Sequence, residues 1–511
     1  MNLLKTVFTV SGMTLISRIL GFIRDAAIAR IFGVSIATDA FWTAFKIPNL
    51  LRRTFAEGAF SQAFVPILAE YRKTRTEEET NTLLNHVTGV LGLALLIVTV
   101  LGIIAAPFVV WLTATGFANT PAKFDLTVTL LRWLFPYILL ISLASLAGSI
   151  LNAYNKFSVP AFTPTLLNIA MIFATVVVAP YVHPPVLALA FGVMLGGVLQ
   201  LVYQLPHLAK LGRLPKPVPN FKDPAVRRIM LQMGPAIFAV SISQISLLIN
   251  TWFASYLENG SVTWLYNADR LMELPTGLLG VALGTVLLPS LSRHAASNNH
   301  DEFNALLDWG LRLTLLLALP AAVGLAMLAS PLLATLFMGG KYTAHDVFMT
   351  QQALVAYSVG LIALILIKVL APGFYAKQNI KTPVKIGVMV LLGTQLLNIL
   401  LVSRFHHAGL ALAISLGACM NASLLFYNLR KRGDYSPAAG WGMFTVKLGL
   451  ATLAMAASLW FLRGHFEQWL HIRAWQRAIW LTVCVAGGAG VYFASLYLLG
   501  FRVAHFRRRA D

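Results

Sequence analysis

Runs of about twenty mainly apolar residues recur from one end of the chain to the other, and nothing else constrains its fold as strongly. Fourteen of them stand near 7–33, 36–70, 84–112, 127–151, 160–182, 186–208, 229–257, 262–291, 304–337, 348–375, 383–402, 408–428, 441–462 and 477–500. A helix of that length spans the roughly 30 Å hydrocarbon core of a bilayer. Lipid offers the backbone no water to bond to, and a helix satisfies its own N–H and C=O groups. Charged residues make up only 11% of the 511 positions, against about 25% in soluble domains. The expected fold class is therefore an all-α polytopic membrane protein with 14 transmembrane helices. The opening Met1-Asn2-Leu3-Leu4-Lys5 has no small-residue cleavage site after it, and its apolar stretch runs on to Arg18 and Arg24. It reads as a retained first helix rather than a leader. Cys419 and Cys484 lie in apolar runs and are expected to be buried thiols, not a disulfide.

A net charge of +20 raises the question of a nucleic-acid partner. The distribution answers it. Basic residues gather on one set of alternate loops, in 72–75, 209–228, 430–432 and the tail with Arg507, Arg508 and Arg509. Only Lys123, Lys341, Arg404, Arg463 and Arg473 fall on the other set. Loops rich in Lys and Arg stay in the cytoplasm, which puts both termini there. No nucleic-acid partner is expected. The segment 209–228 and the tail read as charges facing the membrane surface.

The chain also repeats itself. Pro66 in Phe64-Val65-Pro66-Ile67-Leu68 matches Pro289 in Leu287-Leu288-Pro289-Ser290-Leu291, 223 residues on. Pro107 matches Pro331, Pro160 matches Pro383, and Leu187-Ala188-Leu189-Ala190 matches Leu410-Ala411-Leu412-Ala413, all at nearly the same offset. Four matches in order predict two homologous lobes, 1–208 and 229–431, joined by a linker over 209–228. Each lobe holds six spans, and an even number gives both lobes the same orientation. The pair at 441–500 has no counterpart and is an addition, followed by a basic tail over 501–511. Two six-helix lobes around a central cavity is the plan of an alternating-access transporter.

Charge inside a span costs roughly 2.5–3.5 kcal/mol per residue on insertion scales, so intramembrane charges are candidates for function. The first span carries Arg18, Arg24 and Asp25; the second carries Asp39, Lys46, Arg52, Arg53 and Glu57. On an ideal helix Asp39, Lys46, Asn49, Arg53 and Glu57 would share one face, and Arg52 would point away unless Pro48 bends the chain. The eighth span adds Asp269, Arg270 and Glu273 near one face. Salt bridges that merely tie helices together are the plain alternative, and Lys46, Arg53 and Glu57 are spaced for them. They cannot absorb the whole set, because Arg18, Arg24, Lys46, Arg52, Arg53 and Arg270 outnumber the acids. A cavity with surplus guanidinium favours an anion, and Arg suits phosphate or carboxylate.

No P-loop, zinc motif or nucleophile elbow occurs, so neither ATP drive nor hydrolase chemistry is expected. His406-His407 is expected to be a solvated loop pair rather than a metal site. Trp111, Tyr181, Trp441 and Trp469, near span ends, read as interfacial anchors. No metal-ligand set is identifiable.

At its charged helices the sequence resembles a known family. Ser17-Arg18-Ile19-Leu20-Gly21-Phe22-Ile23-Arg24-Asp25, Ala37-Thr38-Asp39-Ala40-Phe41, and the stretch from Pro48-Asn49-Leu50-Leu51-Arg52-Arg53 to Glu57-Gly58-Ala59-Phe60 resemble the MurJ (MviN) family. So do Ala268-Asp269-Arg270-Leu271-Met272-Glu273-Leu274-Pro275 and Leu370-Ala371-Pro372-Gly373-Phe374-Tyr375, and the resemblance covers essentially the whole chain. It implies a MATE-like fold of two six-helix lobes plus two C-terminal helices, within a superfamily of drug, oligosaccharide-lipid and polysaccharide exporters. It implies a lipid II flippase of the bacterial inner membrane, active in peptidoglycan synthesis and not an enzyme.

The partners implied are lipid II, a polyprenyl pyrophosphate-linked sugar–peptide, and membrane lipids; the chain is expected to be a monomer, with other cell-wall synthesis proteins as its associates. Substrate-binding roles carry over to Arg18, Arg24, Arg52 and Arg270. Supporting cavity or gating roles carry over to Ser17, Asp25, Asp39, Asn49, Arg53, Glu57 and Glu273, and the residues themselves add Lys46 and Asp269. The last two helices are implied to hold the lipid tail. Some relatives have a sodium site, but Asn250 is the one obvious polar candidate in the seventh span and has no carboxylate beside it. No cofactor is expected, and membrane potential or an ion gradient is expected to drive turnover. A flippase for another polyprenyl-linked oligosaccharide, or a MATE-type drug/cation antiporter, is the alternative. An antiporter would need a carboxylate-rich cavity. A membrane glycosyltransferase or phosphatase would need a catalytic acid or metal at a loop, and none is visible.

Overall fold

Capping chemistry sets where the helices begin. In a computed structural model describing residues 3–54 and 60–502, Ser35 and Thr38 form a reciprocal capping box at the head of Ile36–Leu51 (α2), after the first helix Leu3–Phe32 (α1). Thr76 and Glu79 do the same for Glu77–Thr113 (α4), which follows Ser61–Thr74 (α3). The helices Pro121–Leu134 (α5), Pro136–Ala153 (α6), Ser158–Phe173 (α7) and Leu187–Lys210 (α8) come next. Asp223 then caps Pro224–Ser255 (α9), with Pro224 at the first helical position, where its missing N–H costs nothing.

The chain continues through Ser261–Ala296 (α10), His300–Met327 (α11), Ala329–Leu336 (α12) and Ala344–Tyr375 (α13). It ends with Lys381–Lys431 (α14), Trp441–Arg463 (α15), Phe466–His471 (α16) and Ala474–Leu498 (α17). Among the described residues the sole extended pairing is a single bridge between Gly339 and Tyr342.

Two compact units result. One is Met1–Thr263 with Gly339–Tyr342; the other is Trp264–Met338 with Thr343–Asp511. In the first, α1 packs on α7, α7 and α6 on α8, α2 on α5, and α9 on α3 and α4. Phe64, Ile67, Leu83, Val87, Ile150, Leu151 and Val226 form the core where α3, α4, α6 and α9 meet. The compact unit thus takes in α9, which the sequence assigns to the expected second lobe. In the second unit α13 packs on α14 and α11, and α15 packs on α17 and α11. Leu448, Met455, Trp469, Cys484 and Tyr492 bind the two added helices into one core with Leu316 of α11.

The 51 residues of α14 would reach about 75 Å if straight, more than twice the hydrocarbon core. They do not run straight. His406 leaves helical geometry (φ 49°, ψ −128°). Beyond it, Gly409 lies so close to the Leu401 carbonyl, and Gly417 to Thr394, that neither place has room for a Cβ. Residues on either side of His406 therefore meet in reverse order, and α14 is a hairpin of two spans, near the expected 383–402 and 408–428. His407 corrects the sequence reading. Its ring is buried, Nε2 lies 2.8 Å from the Met349 carbonyl, and Trp264 packs against it at 5.2 Å; His406 alone is exposed. Trp469 is corrected too: it is fully buried, donates to the Arg463 carbonyl and stacks on Trp480.

Nine helices among the described residues are long and apolar enough to cross a membrane. The expected stretches outside that set are 7–33, 36–70, 229–257 and 262–291, and three of those four carry the ionisable residues named above. Along α4, Leu93, Leu96, Ile97, Val100, Leu101, Ile104, Phe108 and Trp111 form an outward apolar stripe. Such a face in water would be a severe liability; in lipid it faces its own kind of solvent.

Candidate functional site

The first unit gathers its charges into two buried nodes. At one, Arg24 of α1 lies with its Nε and Nη2 2.9 and 2.7 Å from Asp25 Oδ1. Its Nη1 donates to Asn168 Oδ1 of α7 at 3.0 Å, and Met171 Sδ lies 3.9 Å away. Asn168 Nδ2 in turn donates to the Ser17 carbonyl at 2.8 Å and approaches Ser17 Oγ at 3.4 Å. Arg24 is 7% exposed and Asp25 1%. An ion pair this deep is sustained only when the remaining donors and acceptors are also met.

At the other node Asp39 of α2 is fully buried and accepts four hydrogen bonds. Lys123 Nζ (2.8 Å) and the Gly260 N–H (2.7 Å) reach one oxygen; the Thr263 N–H (3.0 Å) and hydroxyl (2.7 Å) reach the other. Lys123 also donates to Asn259 Oδ1 and lies over the Phe117 ring. Asp39 thereby caps the N-terminus of α10 from outside it, where a negative charge is favoured.

These nodes redistribute what the sequence placed on one helix face. Asp39 is bound to Lys123 and the start of α10 rather than paired with Lys46 or Arg53. Lys46 is half-buried with Nζ 3.4 Å from Thr251 Oγ1, and Arg53 is exposed. The ideal helix behind that expectation ends at Leu51, so its periodicity does not carry to Arg53. Arg52 folds back, with Nε and Nη2 at 3.0 and 2.7 Å from Asn49 Oδ1. Glu57 lies outside the described residues. Arg18, half-buried, makes no hydrogen bond or ion pair among the described residues, and Ser17 holds Asn168.

In the second unit Arg270 Nη1 meets Glu273 at 2.9 Å, one turn along α10, with the side chains 25% and 50% exposed. Asp269 is exposed beside them. No group of three or more His, Cys, Asp or Glu among the described residues could hold a metal ion. Asn250 is half-buried.

Lys123 and Asn168, the two side chains that tie these nodes to other helices, escaped the sequence reading. Lys123 looked like an outer-loop charge, but it is 3% exposed. Asn168 is a lone amide in the apolar run Leu166-Leu167-Asn168-Ile169-Ala170, and that isolation was the one signal available.

A sequence profile of the family described as "Lipid II flippase MurJ" matches residues 28–477. The chain belongs to the MurJ family. It is 51% identical over 516 aligned residues to the lipid II flippase MurJ of Burkholderia cenocepacia, covering all of both chains. To the probable MurJ of Vibrio cholerae it is 42% identical, covering all of this chain and 98% of that one. A solved MurJ structure, in an inward closed conformation, superposes with a TM-score of 0.80 at 27% identity, over 95% of this chain and 97% of that one. An inward-facing MATE transporter superposes at 0.68 with 14% identity, over 83% and 97%, which shows a shared fold. The polytopic, MATE-like architecture expected from the sequence is therefore that of MurJ, a fold shared with a MATE transporter, and the family is one of transporters rather than a catalytic class.

Proposed function

We propose that the chain carries lipid II from the cytoplasmic to the periplasmic leaflet, with Arg18, Arg24, Arg52 and Arg270 binding the anionic head. Membership of the MurJ family over the full length supports the activity. The concentration of arginine on α1, at the end of α2 and on α10 supports the role of those four residues, since guanidinium offers a fork of donors to phosphate. Ser17, Asp25, Asp39, Lys46, Asn49, Arg53, Glu57, Asp269 and Glu273 support them or gate the path. The alternative substrates gain nothing from the MATE likeness, which carries fold alone.

The same reading has fourteen spans, both termini in the cytoplasm, a monomer and a polyprenyl tail held along α15 and α17. It takes membrane potential as the drive. The pyrophosphate carries roughly two negative charges, and moving one charge across the field is worth about 2.3 kcal/mol per 100 mV. An anion leaving an inside-negative cell moves downhill.

One experiment tests the reading. Cells depleted of the native protein express Arg18→Ala, Arg24→Ala, Arg52→Ala or Arg270→Ala at native levels, and the leaflet holding lipid II is measured. Each variant should insert normally and leave lipid II on the cytoplasmic side. Collapsing the potential in native cells, with ion and pH gradients clamped, should slow export. Normal export by the alanine variants would sink the arginine roles, and export indifferent to the collapse would remove potential as the drive.

A further inference from the structure

We propose that Asn168 is a positioning residue for transport, setting the orientation of the Arg24 guanidinium from α7. The inference rests on the reading of Arg24 as a head-group contact. Asn168 is 6% exposed in an otherwise apolar stretch, and a buried amide there needs both its ends satisfied. Its partners fix which way it faces. Arginine has only donors, so the atom 3.0 Å from Arg24 Nη1 must be the amide oxygen. A backbone carbonyl only accepts, so the atom 2.8 Å from the Ser17 oxygen must be the amide nitrogen. One amide plane thus ties two places on α1, seven residues apart, to a single point on α7.

The mechanical effect is specific. Asp25 takes the Nε and Nη2 edge of Arg24 from the next residue of the same helix. A guanidinium held along one edge can still swing with its own helix. The contact at Nη1 comes from a different helix, on the other side of the group, and fixes the plane. Fixing it settles which N–H directions are offered to a phosphate, and bidentate recognition depends on that geometry. An aspartate at 168 would meet Arg24 but set an oxygen against the Ser17 carbonyl. Leucine, of similar size, would meet neither. Glutamine alone among close substitutes keeps both a donor and an acceptor.

The test is a double-mutant cycle on lipid II binding to the purified full-length protein, with export in cells as the second readout. Asn168→Leu should weaken binding about tenfold, the order seen when a partner orienting a ligand-holding side chain is removed. Asn168→Gln should recover part of that loss. In an Arg24→Ala background Asn168→Leu should change binding no further, because the group it orients is gone. An equal loss in both backgrounds would mean a structural role and overturn the proposal, as would unchanged binding by Asn168→Leu alone. If Arg24→Ala itself binds lipid II as tightly as the native protein, the head-group role of Arg24 fails instead. Should Asn168→Leu not reach the membrane, Asn168→Ala is measured in the same two backgrounds, where the same outcomes support or overturn the proposal.

Discussion

Arg24 with Asp25 in the first unit and Arg270 with Glu273 in the second are the same chemical pair in opposite settings. The first is 9% and 1% exposed at its side chains, the second 25% and 50%. The first is joined by a residue of a second helix, Asn168; the second lies along one helix face, three residues apart. Coulomb attraction is similar at 2.7 and 2.9 Å, so burial decides what each is worth. A half-exposed pair contributes about 0–1 kcal/mol. A buried one can cost about 3–5 kcal/mol to break from one side, because the surviving charge is stranded. The first pair therefore fixes structure as well as carrying charge, and the second leaves Arg270 in a more exposed setting.

Lys123 is where that contrast is sharpest. Lys123→Met would leave the Asp39 carboxylate buried with three neutral donors and no countercharge, and should lower stability by about 3–5 kcal/mol. Thermal unfolding of the purified protein measures it. Asp39→Asn should be comparably severe, since an amide N–H would then face a donor at Lys123 or Gly260. Adding Asp39→Leu to Lys123→Met should restore part of the loss. If Lys123→Met unfolds as the native protein does, the node is not a closed charge pair and the contrast between units collapses.

That node also marks the limit of what could be read beforehand. Helix starts at Ser35-x-x-Thr38, Thr76-x-x-Glu79 and Asp223 before Pro224 rest on short-range capping chemistry, which the apolar runs beginning near 84 and 229 did not use. The two-span character of 383–428 was legible because each half is apolar for the length of a bilayer. Asp39 and Lys123 are 84 residues apart, and nothing local says they meet. A lysine beside a loop looks solvated until its partner is known. His407 and Trp469 failed for the same reason: both sit near span ends, where the prior favours water or the interface, yet the hairpin of α14 and the packing of α15 against α17 cover them. Helical phase misled beyond α2 because the 100° step was extended past Leu51, where the regular helix ends. The arginines were legible as a set, but their grading from buried Arg24 to half-exposed Arg270 is a property of packing.

A middle-sized effect belongs to Arg24→Lys. An ammonium can still meet Asp25, but it lacks the planar fork that reaches Asp25 on one edge and Asn168 on the other. Leaving one buried partner unmet costs about 1–3 kcal/mol, so unfolding should move measurably yet less than for Lys123→Met. Arg270→Lys, in its exposed setting, should leave stability within about 1 kcal/mol of native. Equal losses at the two positions would show that burial does not separate the pairs.

The smallest change tests the second unit alone. Glu273→Gln removes the carboxylate that Arg270 meets at 2.9 Å and keeps the shape of the side chain. Half of that side chain faces outward, so the loss of stability should stay under about 1 kcal/mol and shrink further in high salt. Its functional sign is more telling. With one anion fewer beside it, Arg270 is freer to meet the phosphate, so lipid II binding should hold or tighten slightly, while export should slow as the supporting carboxylate is lost. A merely structural pair gives the opposite ordering, a larger loss of stability than of function. If Glu273→Gln destabilises the protein as much as Lys123→Met does, the second unit is as tightly built on charge as the first. If it abolishes export while folding is intact, Glu273 acts in transport in its own right, and the two pairs differ in role rather than in burial.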